Sequence, residues 1–285
     1  MRIYSRIPPC ANLASLIPAA LAMALAVPVA AQQAAVVPAA PTYVDLVELS
    51  LSSGVVLRAE IDDQITVPPE RAPGVRPGHV RLYLEAETQA LLAGSGPIGE
   101  SLAFLSDQPR EADGDVPKLK KRVYLLYGRR VEGRPGEIQL IAPNAMQPYS
   151  PELEQRARAV LRQLVEAPPP PIITGVREVM SVPGNLVGES ETQIFLDTRD
   201  GAPVSLTVLR RPGMAPQWGV SWSDIVDQSA RPPQPQTPQW YALACHLPQE
   251  LPEESFLQND PASRARARDD YSIVLAEIGP CARSM

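Results

Sequence analysis

The sequence predicts a mixed β and α+β protein made of two modules, and three patterns lead to this prediction. Apolar and polar residues alternate with a period of two through much of the first half, whereas helical spacing dominates near the end. Four consecutive prolines, Pro168–Pro171, lie between the two regions. Because a proline run forms a stiff spacer, we expect a five-stranded OB-like barrel before it and a small α+β domain after it. The expected bounds are 42–166 for the first module, 167–171 for the linker and 172–285 for the second module.

Five apolar segments carry the strand signal of the N-terminal module. In the first two, apolar residues alternate with polar ones, and in the other three the apolar residues are consecutive. Turn-forming residues, mostly glycine and proline, separate the segments. Five strands at this spacing suit a small closed or half-closed barrel of the OB type, and the edge of a sandwich is the alternative. The segments are 55–61, 80–86, 102–105, 123–127 and 138–141.

Two helices are expected to flank these strands. The first is a short helix over 43–51, where apolar and acidic residues follow helical spacing. The second begins after Ser150, whose hydroxyl can cap the first turn, and Pro151 fits the first helical position. Its apolar face includes Leu153 and Val160, so we expect this helix to pack against the barrel module and cap it.

The C-terminal module is expected to combine a three-stranded meander with two helices. Strands at 193–196, 204–209 and 218–222 are separated by glycine-containing turns. Helices follow at 237–247 and 260–278, and the second of these has Asp-Pro at its start and Gly-Pro after its end.

The first 31 residues have the three parts of a secretory signal. Arg2 and Arg6 make the start positive, residues 11–27 form an apolar stretch, and small residues precede the expected cleavage point. An uncleaved membrane anchor is the alternative. We therefore expect a periplasmic or secreted chain with no integral membrane segment after cleavage of the signal peptide 1–31. Residues 32–41 would form a flexible tether.

Removal of the signal would leave two cysteines, Cys245 and Cys281. An even number of cysteines in an oxidising compartment predicts a disulfide, which here would join the ends of the two C-terminal helices. The alternative is a reactive thiol at Cys245 beside His246. Adjacent residues seldom place both side chains in the geometry that a nucleophile and its base require.

The charge and the short supply of reactive side chains exclude several classes of function. The chain has 26 Lys and Arg against 32 Asp and Glu, so its formal net charge of −6 becomes more negative when Arg2 and Arg6 leave with the signal. An acidic surface repels phosphate groups, so we expect no nucleic-acid partner. His79 and His246 are the two histidines, and none of the common catalytic or phosphate-binding motifs is present. We therefore expect no metal, no cofactor and no catalytic residue.

Two polar stretches of the N-terminal module are candidates for binding. Arg71, Arg76 and His79 lie in or beside the proline-rich loop 68–78, where they could hold an acidic or polar ligand; a rigid, solvated loop is the alternative. The segment Lys118–Arg122 carries four cations that could attract an anionic partner. The alternative is a solubilising run that protects the following strand from aggregation.

Two further candidates lie in the C-terminal module. Trp218 and Trp222 share one face of a strand and could stack on sugars or extended peptides, and the alternative is that they fill the core. Glu189 and Glu191 are close together in a polar segment. They could act in general acid–base catalysis if the fold buried one of them and so raised the pKa of its carboxyl group. The alternative is a polar connection.

Several segments of the mature chain carry a resemblance to known proteins. The segments 183–186, 188–193 and 218–222, followed by the late cysteine pair, resemble a family of uncharacterised exported proteins of alphaproteobacteria. This resemblance covers most of the mature chain and implies export but no particular activity. The N-terminal strand layout is also similar to netrin-like OB barrels, which include protease inhibitors. Those barrels have a cysteine at the mature N-terminus, and this chain has none there.

These observations together favour an exported, non-enzymatic protein that binds an envelope protein or a polysaccharide. A periplasmic hydrolase that uses Glu189, Glu191 or Asp224 as acid or base is one alternative. A netrin-like protease inhibitor is the other.

Overall fold

The computed structural model of the protein describes residues 40–166, 170–226 and 229–285. The predicted signal, the tether up to residue 39 and residues 167–169 of the predicted linker lie outside the described residues. In the described part, the chain forms two antiparallel sheets and four α-helices, so the predicted mixture of sheet and helix is confirmed. No helix in this part is long and apolar enough to cross a membrane.

The elements follow one another in an order that places one helix before the first sheet, one between the sheets and two after the second. They are α1 (Tyr43–Ser52), β1 (Val55–Thr66), β2 (His79–Gly94), β3 (Ser101–Pro109), β4 (Val123–Arg130), β5 (Ile138–Leu140), β6 (Met146–Pro148), α2 (Pro151–Glu166), β7 (Ile173–Pro183), β8 (Ser190–Thr198), β9 (Val204–Arg210), β10 (Gln217–Ser221), α3 (Pro238–His246) and α4 (Pro261–Ile278).

The first sheet has the strand order β3-β2-β1-β4-β5, with β6 beside β4, and it contains all five predicted strands. The sheet is open. One isolated parallel bridge joins Ala103 of the edge strand β3 to Glu137, the residue before β5. In this bridge the Ala103 N–H donates to the Gly136 carbonyl oxygen at 2.7 Å. The predicted OB-like barrel, closed or half-closed, is therefore not confirmed, because β5 has only three residues and does not pair along the nine residues of β3.

The two faces of this sheet are covered differently. On the inner face, side chains such as Leu57, Leu82 and Phe104 pack against one another and form one core. On the outer face, Leu125 and Tyr127 of β4 belong to a second core, which they share with residues of α1 and α2. The helix that was expected to cap the module thus lies against the outside of β1 and β4.

The start of α2 is fixed by a capping hydroxyl and by a buried carboxylate. The Ser150 hydroxyl accepts a hydrogen bond from the Leu153 N–H at 3.1 Å, as the sequence predicts. Glu154, in the first turn, accepts from Arg58 of β1 and from Arg158, each at 2.7 Å. Burial by itself would raise the pKa of Glu154, but the hydrogen bonds and charges of the two arginines outweigh it and hold this pKa below its usual range.

Replacement of Glu154 by glutamine should lower the stability at neutral pH, by about 1–2 kcal/mol. The carboxylate stabilises the fold above its unfolded-state pKa of about 4.3, and this contribution is lost as the pH falls through the lower pKa of the folded state. Urea unfolding of both proteins over a series of falling pH values measures the effect. The exposed Glu152, changed to glutamine in the same helical turn, is the control. A loss of equal size at every pH would contradict a role for the charge.

The second sheet has the strand order β10-β9-β8-β7. Strands β8, β9 and β10 are the predicted meander, whereas β7 is a strand that the sequence analysis missed. β7 contains Gly175 and the consecutive charged residues Arg177 and Glu178, and its pairing with β8 shifts register twice in this stretch. Because these irregularities interrupt the period of two, the local pattern did not predict a strand.

Helices α3 and α4 pack against the second sheet, and α4 begins after Asp260, the capping residue that the sequence predicts. Thr237 and Asp260 accept hydrogen bonds from the first turns of α3 and α4. Leu206 of β9 and Leu243 of α3 are fully buried in the core that the sheet and the two helices share. The predicted disulfide Cys245–Cys281 joins the end of α3 to the residues that follow α4.

The last residues of the chain pack on α1, the first helix. Arg283 pairs with Glu48 at 2.6 Å, and Ser284 donates to the Asp45 carboxylate from its N–H at 3.0 Å and from its hydroxyl at 2.7 Å. Although burial opposes the effect, hydrogen bonds from Ser284 and Thr42 lower the pKa of Asp45. These contacts connect the two halves of the described chain, and the division into two domains stays a prediction.

Candidate functional site

A cleft of about 690 Å³ lies at the open edge of the first sheet, and we call it the seam cleft. One wall is formed by β2 and β3, and the other by β5 with the residues immediately before and after it. The two walls come together at the bridge between Ala103 and Glu137. Beyond that bridge, β3 and the segment 138–143 are not paired with each other in the described structure.

The β2–β3 wall presents an apolar patch beside an ion pair. In the register of these strands, Tyr83 stands opposite Leu105 and Arg81 stands opposite Asp107. The Leu105 side chain is 51% exposed, and Tyr83 is half-buried beside it. An exposed leucine at the rim of a cleft, next to an aromatic ring, offers apolar surface to a partner.

The charges that line the seam cleft are paired on each wall. Arg81 holds Asp107 with two hydrogen bonds of 2.7 and 2.8 Å, and Arg134 bonds Glu137 at 2.9 Å on the other wall. The hydrogen bond from Arg81 is the largest influence on Asp107 and lowers its pKa, while burial opposes the shift. Because each positive group has its own carboxylate, the charged lining suits a partner with little net charge.

Two of the three predicted residues of the proline-rich loop lie near the end of this wall. The Arg76 guanidinium is 3.5 Å from the His79 ring, and the charges of both residues contribute to the lowered pKa of Asp107. Arg71 is exposed in a short 3₁₀ turn, and no described hydrogen bond connects it to Arg76 or His79. The structure therefore brings Arg76 and His79 together beside the seam cleft and leaves Arg71 apart.

The two predicted tryptophans belong to the core of the second sheet. Trp218 is 4% exposed, and its ring N–H donates to Glu277 of α4 at 2.7 Å. Trp222 is partly buried and packs against the same core. A stacking surface on Trp218 is therefore not available, and the core role that the sequence left as the alternative is the observed one.

The predicted carboxylates near the start of β8 contribute to local structure. Glu189 accepts hydrogen bonds from the N–H groups of Asn185 and Leu186 at 3.0 and 3.2 Å, so its carboxylate holds the preceding loop. Glu191 accepts from Gln193 at 2.7 Å. Asp224 is exposed in a bend after β10. The structure does not bring these three carboxylates into one arrangement with a described nucleophile or base.

The basic run before β4 is paired with acidic residues of β1. Lys121 contacts Asp62 at 3.0 Å and Glu60 at 3.4 Å, and Lys120 contacts Asp63 at 3.4 Å. All of these side chains except Glu60 are more than half exposed, so the pairs contribute little to stability. This pairing favours the solubilising interpretation of Lys118–Arg122 over an anion-binding one.

The sequence analysis missed the site residues of the β2–β3 wall, which are Arg81, Tyr83, Leu105 and Asp107. One signal for Leu105 was present: it ends the consecutive apolar run 102–105, so an apolar residue falls in the phase that points away from the core. The opposite wall had no comparable signal, since residues 139–143 reach the cleft only through the folding of β4 and β5.

The described residues contain no group of three or more histidine, cysteine or acidic residues that could hold a metal ion. No protein-family model and no curated protein matches the chain.

Proposed function

We propose that this is an exported, non-enzymatic binding protein whose binding site is the seam cleft and whose partner is a component of the cell envelope, a protein or a polysaccharide. The observation that carries the proposal is the cleft itself: 690 Å³ at an open sheet edge, with the half-exposed Leu105 beside Tyr83. Binding sites commonly combine apolar surface with a small number of fixed polar groups. Here the paired Arg81 and Asp107 supply the fixed polar groups.

We further propose that the first module is a half-closed barrel of the OB type. The strand order β3-β2-β1-β4-β5 supports this, as does the parallel bridge between Ala103 and Glu137, which brings the two ends of that order together. In such a barrel the opening between the edge strands is a natural place for a ligand. The signal that the sequence predicts for residues 1–31 and the disulfide-forming cysteines are the basis for proposing a periplasmic or secreted location.

The hydrolase and inhibitor alternatives receive less support from the described contacts. The carboxylate of Glu189, one of the three candidates for an acid or base, already accepts two backbone hydrogen bonds from its own loop. A protease inhibitor requires a protruding loop, and the proline-rich loop with Arg76 instead bends back, so that the Arg81 guanidinium approaches the Pro73 carbonyl at 3.5 Å.

Site-directed photocrosslinking in cells that export the protein tests the proposed site. A photoreactive residue at the exposed Gln139, on the wall opposite Leu105, should form an adduct with an envelope component. The same photoreactive residue placed at position 165 of α2, where Val165 is 86% exposed, should form no such adduct. Leu105→Lys should abolish the Gln139 adduct by placing a charge on the apolar patch.

The matched control for Leu105→Lys is Leu257→Lys, since Leu257 is 55% exposed and lies beside the second sheet. This control should leave the adduct unchanged. Adducts of the same kind and yield at Gln139 and Val165, or a Gln139 adduct that survives Leu105→Lys, would contradict the seam cleft as the binding site.

A further inference from the structure

We infer that the partner enters the seam cleft as an extended peptide segment that pairs, strand to strand, with the free edge of β3. This inference rests on the proposed function and names the class of partner that the same site recognises. It depends on the backbone of β3, which the proposed function does not use.

The direction of the backbone N–H groups in β3 is fixed by the bridge. The Ala103 N–H donates to the Gly136 carbonyl oxygen, so it points away from β2. N–H groups alternate in direction along a strand, and therefore those of Leu105 and Asp107 point the same way, into the seam cleft. Phe104 and Ser106, which alternate with them, face the ladder to β2.

Among the described residues, no strand lies on the outer side of this part of β3. The pairing of β3 with β2 runs from Ser101 to Pro109, whereas on the other side the described residues supply only the bridge at Ala103. The free edge from Leu105 to Gln108 covers four residues, about 13 Å of strand. An added peptide strand would satisfy the edge donors and acceptors, as in the recognition mode known as β-augmentation.

The described edge has little of the protection that usually prevents such pairing, and its one charged side chain, Asp107, is already paired with Arg81. Exposed edge strands are commonly protected by lysine, proline or a bulge. At its centre β3 instead carries the half-exposed Leu105, and Pro109 stands only at its end. The β2–β3 register is regular along its whole length, with no bulge.

The outer face of β3 indicates which peptides should bind. A peptide residue paired with Leu105 would extend the cross-strand row that Tyr83 and Leu105 begin, and apolar β-branched or aromatic side chains stabilise such rows. The next peptide side chain on that face would lie beside the Arg81–Asp107 pair, where a polar residue fits. We therefore expect apolar and polar side chains to alternate on the outward face of the peptide, two residues apart.

A displayed library of random ten-residue peptides, selected on the immobilised full mature chain, supplies a probe. The selected peptides should contain an apolar and a polar residue two positions apart, in the order that the direction of the added strand sets. Each peptide is then remade with single N-methylated amides along its length. Methylation of the amides that face β3 should weaken binding about tenfold each, and methylation of the amides between them should have little effect.

Amide hydrogen exchange on the protein gives an independent measure. In the free protein the amides of Leu105 and Asp107 should exchange quickly, and addition of a selected peptide should slow both. Exchange at Phe104 and Ser106 should be slow throughout, because the ladder to β2 already protects them. Protection of Leu105 and Asp107 without the two-residue alternation in methylation sensitivity would overturn strand pairing.

A substitution in the protein completes the test. Leu105→Pro removes the N–H that points away from β2, and proline is tolerated at such a position of an edge strand. It should abolish peptide binding more completely than Leu105→Ala, because alanine keeps the N–H. If Leu105→Pro does not fold, the methylation series on the peptide still decides the question. If Gln139 forms its adduct but no peptide is selected, or the selected peptides bind equally well when methylated, this inference is overturned and the proposed binding function stands. If neither the Gln139 adduct nor peptide binding is observed, the proposed function and this inference both fail.

Discussion

Replacement of both Cys245 and Cys281 by alanine should lower the free energy of unfolding by about 4 kcal/mol. The disulfide closes a loop with a sequence separation of 36, and the loss of that constraint increases the entropy of the unfolded chain. It also holds the residues after α4 close to α3, so its removal should loosen the contacts of Arg283 and Ser284 with α1. Urea unfolding of the double variant and the wild type under oxidising conditions gives the difference.

Reduction of the wild type provides the matching experiment. A thiol reductant should bring the stability of the wild type down to that of the Cys245→Ala, Cys281→Ala variant, and it should not change the variant itself. Unfolding curves that are identical with and without the bridge would mean that packing alone determines the position of the C-terminal residues.

Asp270→Asn should destabilise the protein by about 3 kcal/mol, because it removes the charge from a buried ion pair. Asp270 is fully buried on α4, where it accepts a hydrogen bond from Arg210 of β9 at 2.5 Å and another from the Thr192 hydroxyl. The network continues from Thr192 to the Ser181 hydroxyl and from there to Arg266. Loss of the charge would leave Arg210 without its carboxylate and weaken the attachment of α4 to β7, β8 and β9.

The neighbouring Asp269 supplies the control, since it is an exposed carboxylate on the same helix. Asp269→Asn should change the free energy of unfolding by less than about 0.5 kcal/mol. Chemical unfolding of the three proteins under one set of conditions measures both effects. If Asp270→Asn and Asp269→Asn lower the free energy of unfolding equally, the buried network around Asp270 does not stabilise the protein as we expect.

Local signals predicted the helices well. The capping residues Ser150, Thr237 and Asp260 act within one turn of the chain, so their neighbours in sequence are sufficient to mark where a helix begins. The disulfide was predicted from the cysteine count together with the predicted signal, and this prediction needed no knowledge of packing.

Features that depend on distant parts of the chain were missed. The seam cleft exists because the three-residue β5 does not pair along β3, and no local pattern encodes that absence of pairing. The ring N–H of the buried Trp218 donates to Glu277 of α4, 59 residues away, so no local pattern predicts this hydrogen bond, although a core position was one of the two interpretations of Trp218. The sequence analysis missed β7 for a different reason. The register shifts near Gly175 interrupt the alternation of apolar and polar residues by which a strand is recognised.

The position of Ser284 also bears on how the chain reaches its folded state. Its hydroxyl donates to the Ala40 carbonyl oxygen at 3.2 Å and to Asp45, contacts that span more than two hundred residues of sequence. Contacts of such high sequence separation raise the contact order, and proteins with high contact order fold slowly. A chain that emerges N-terminus first cannot form these contacts until its last residues follow. The packing of the C-terminal residues on α1 is thus a late event, and a C-terminal truncation should impair the half of the protein that is made first.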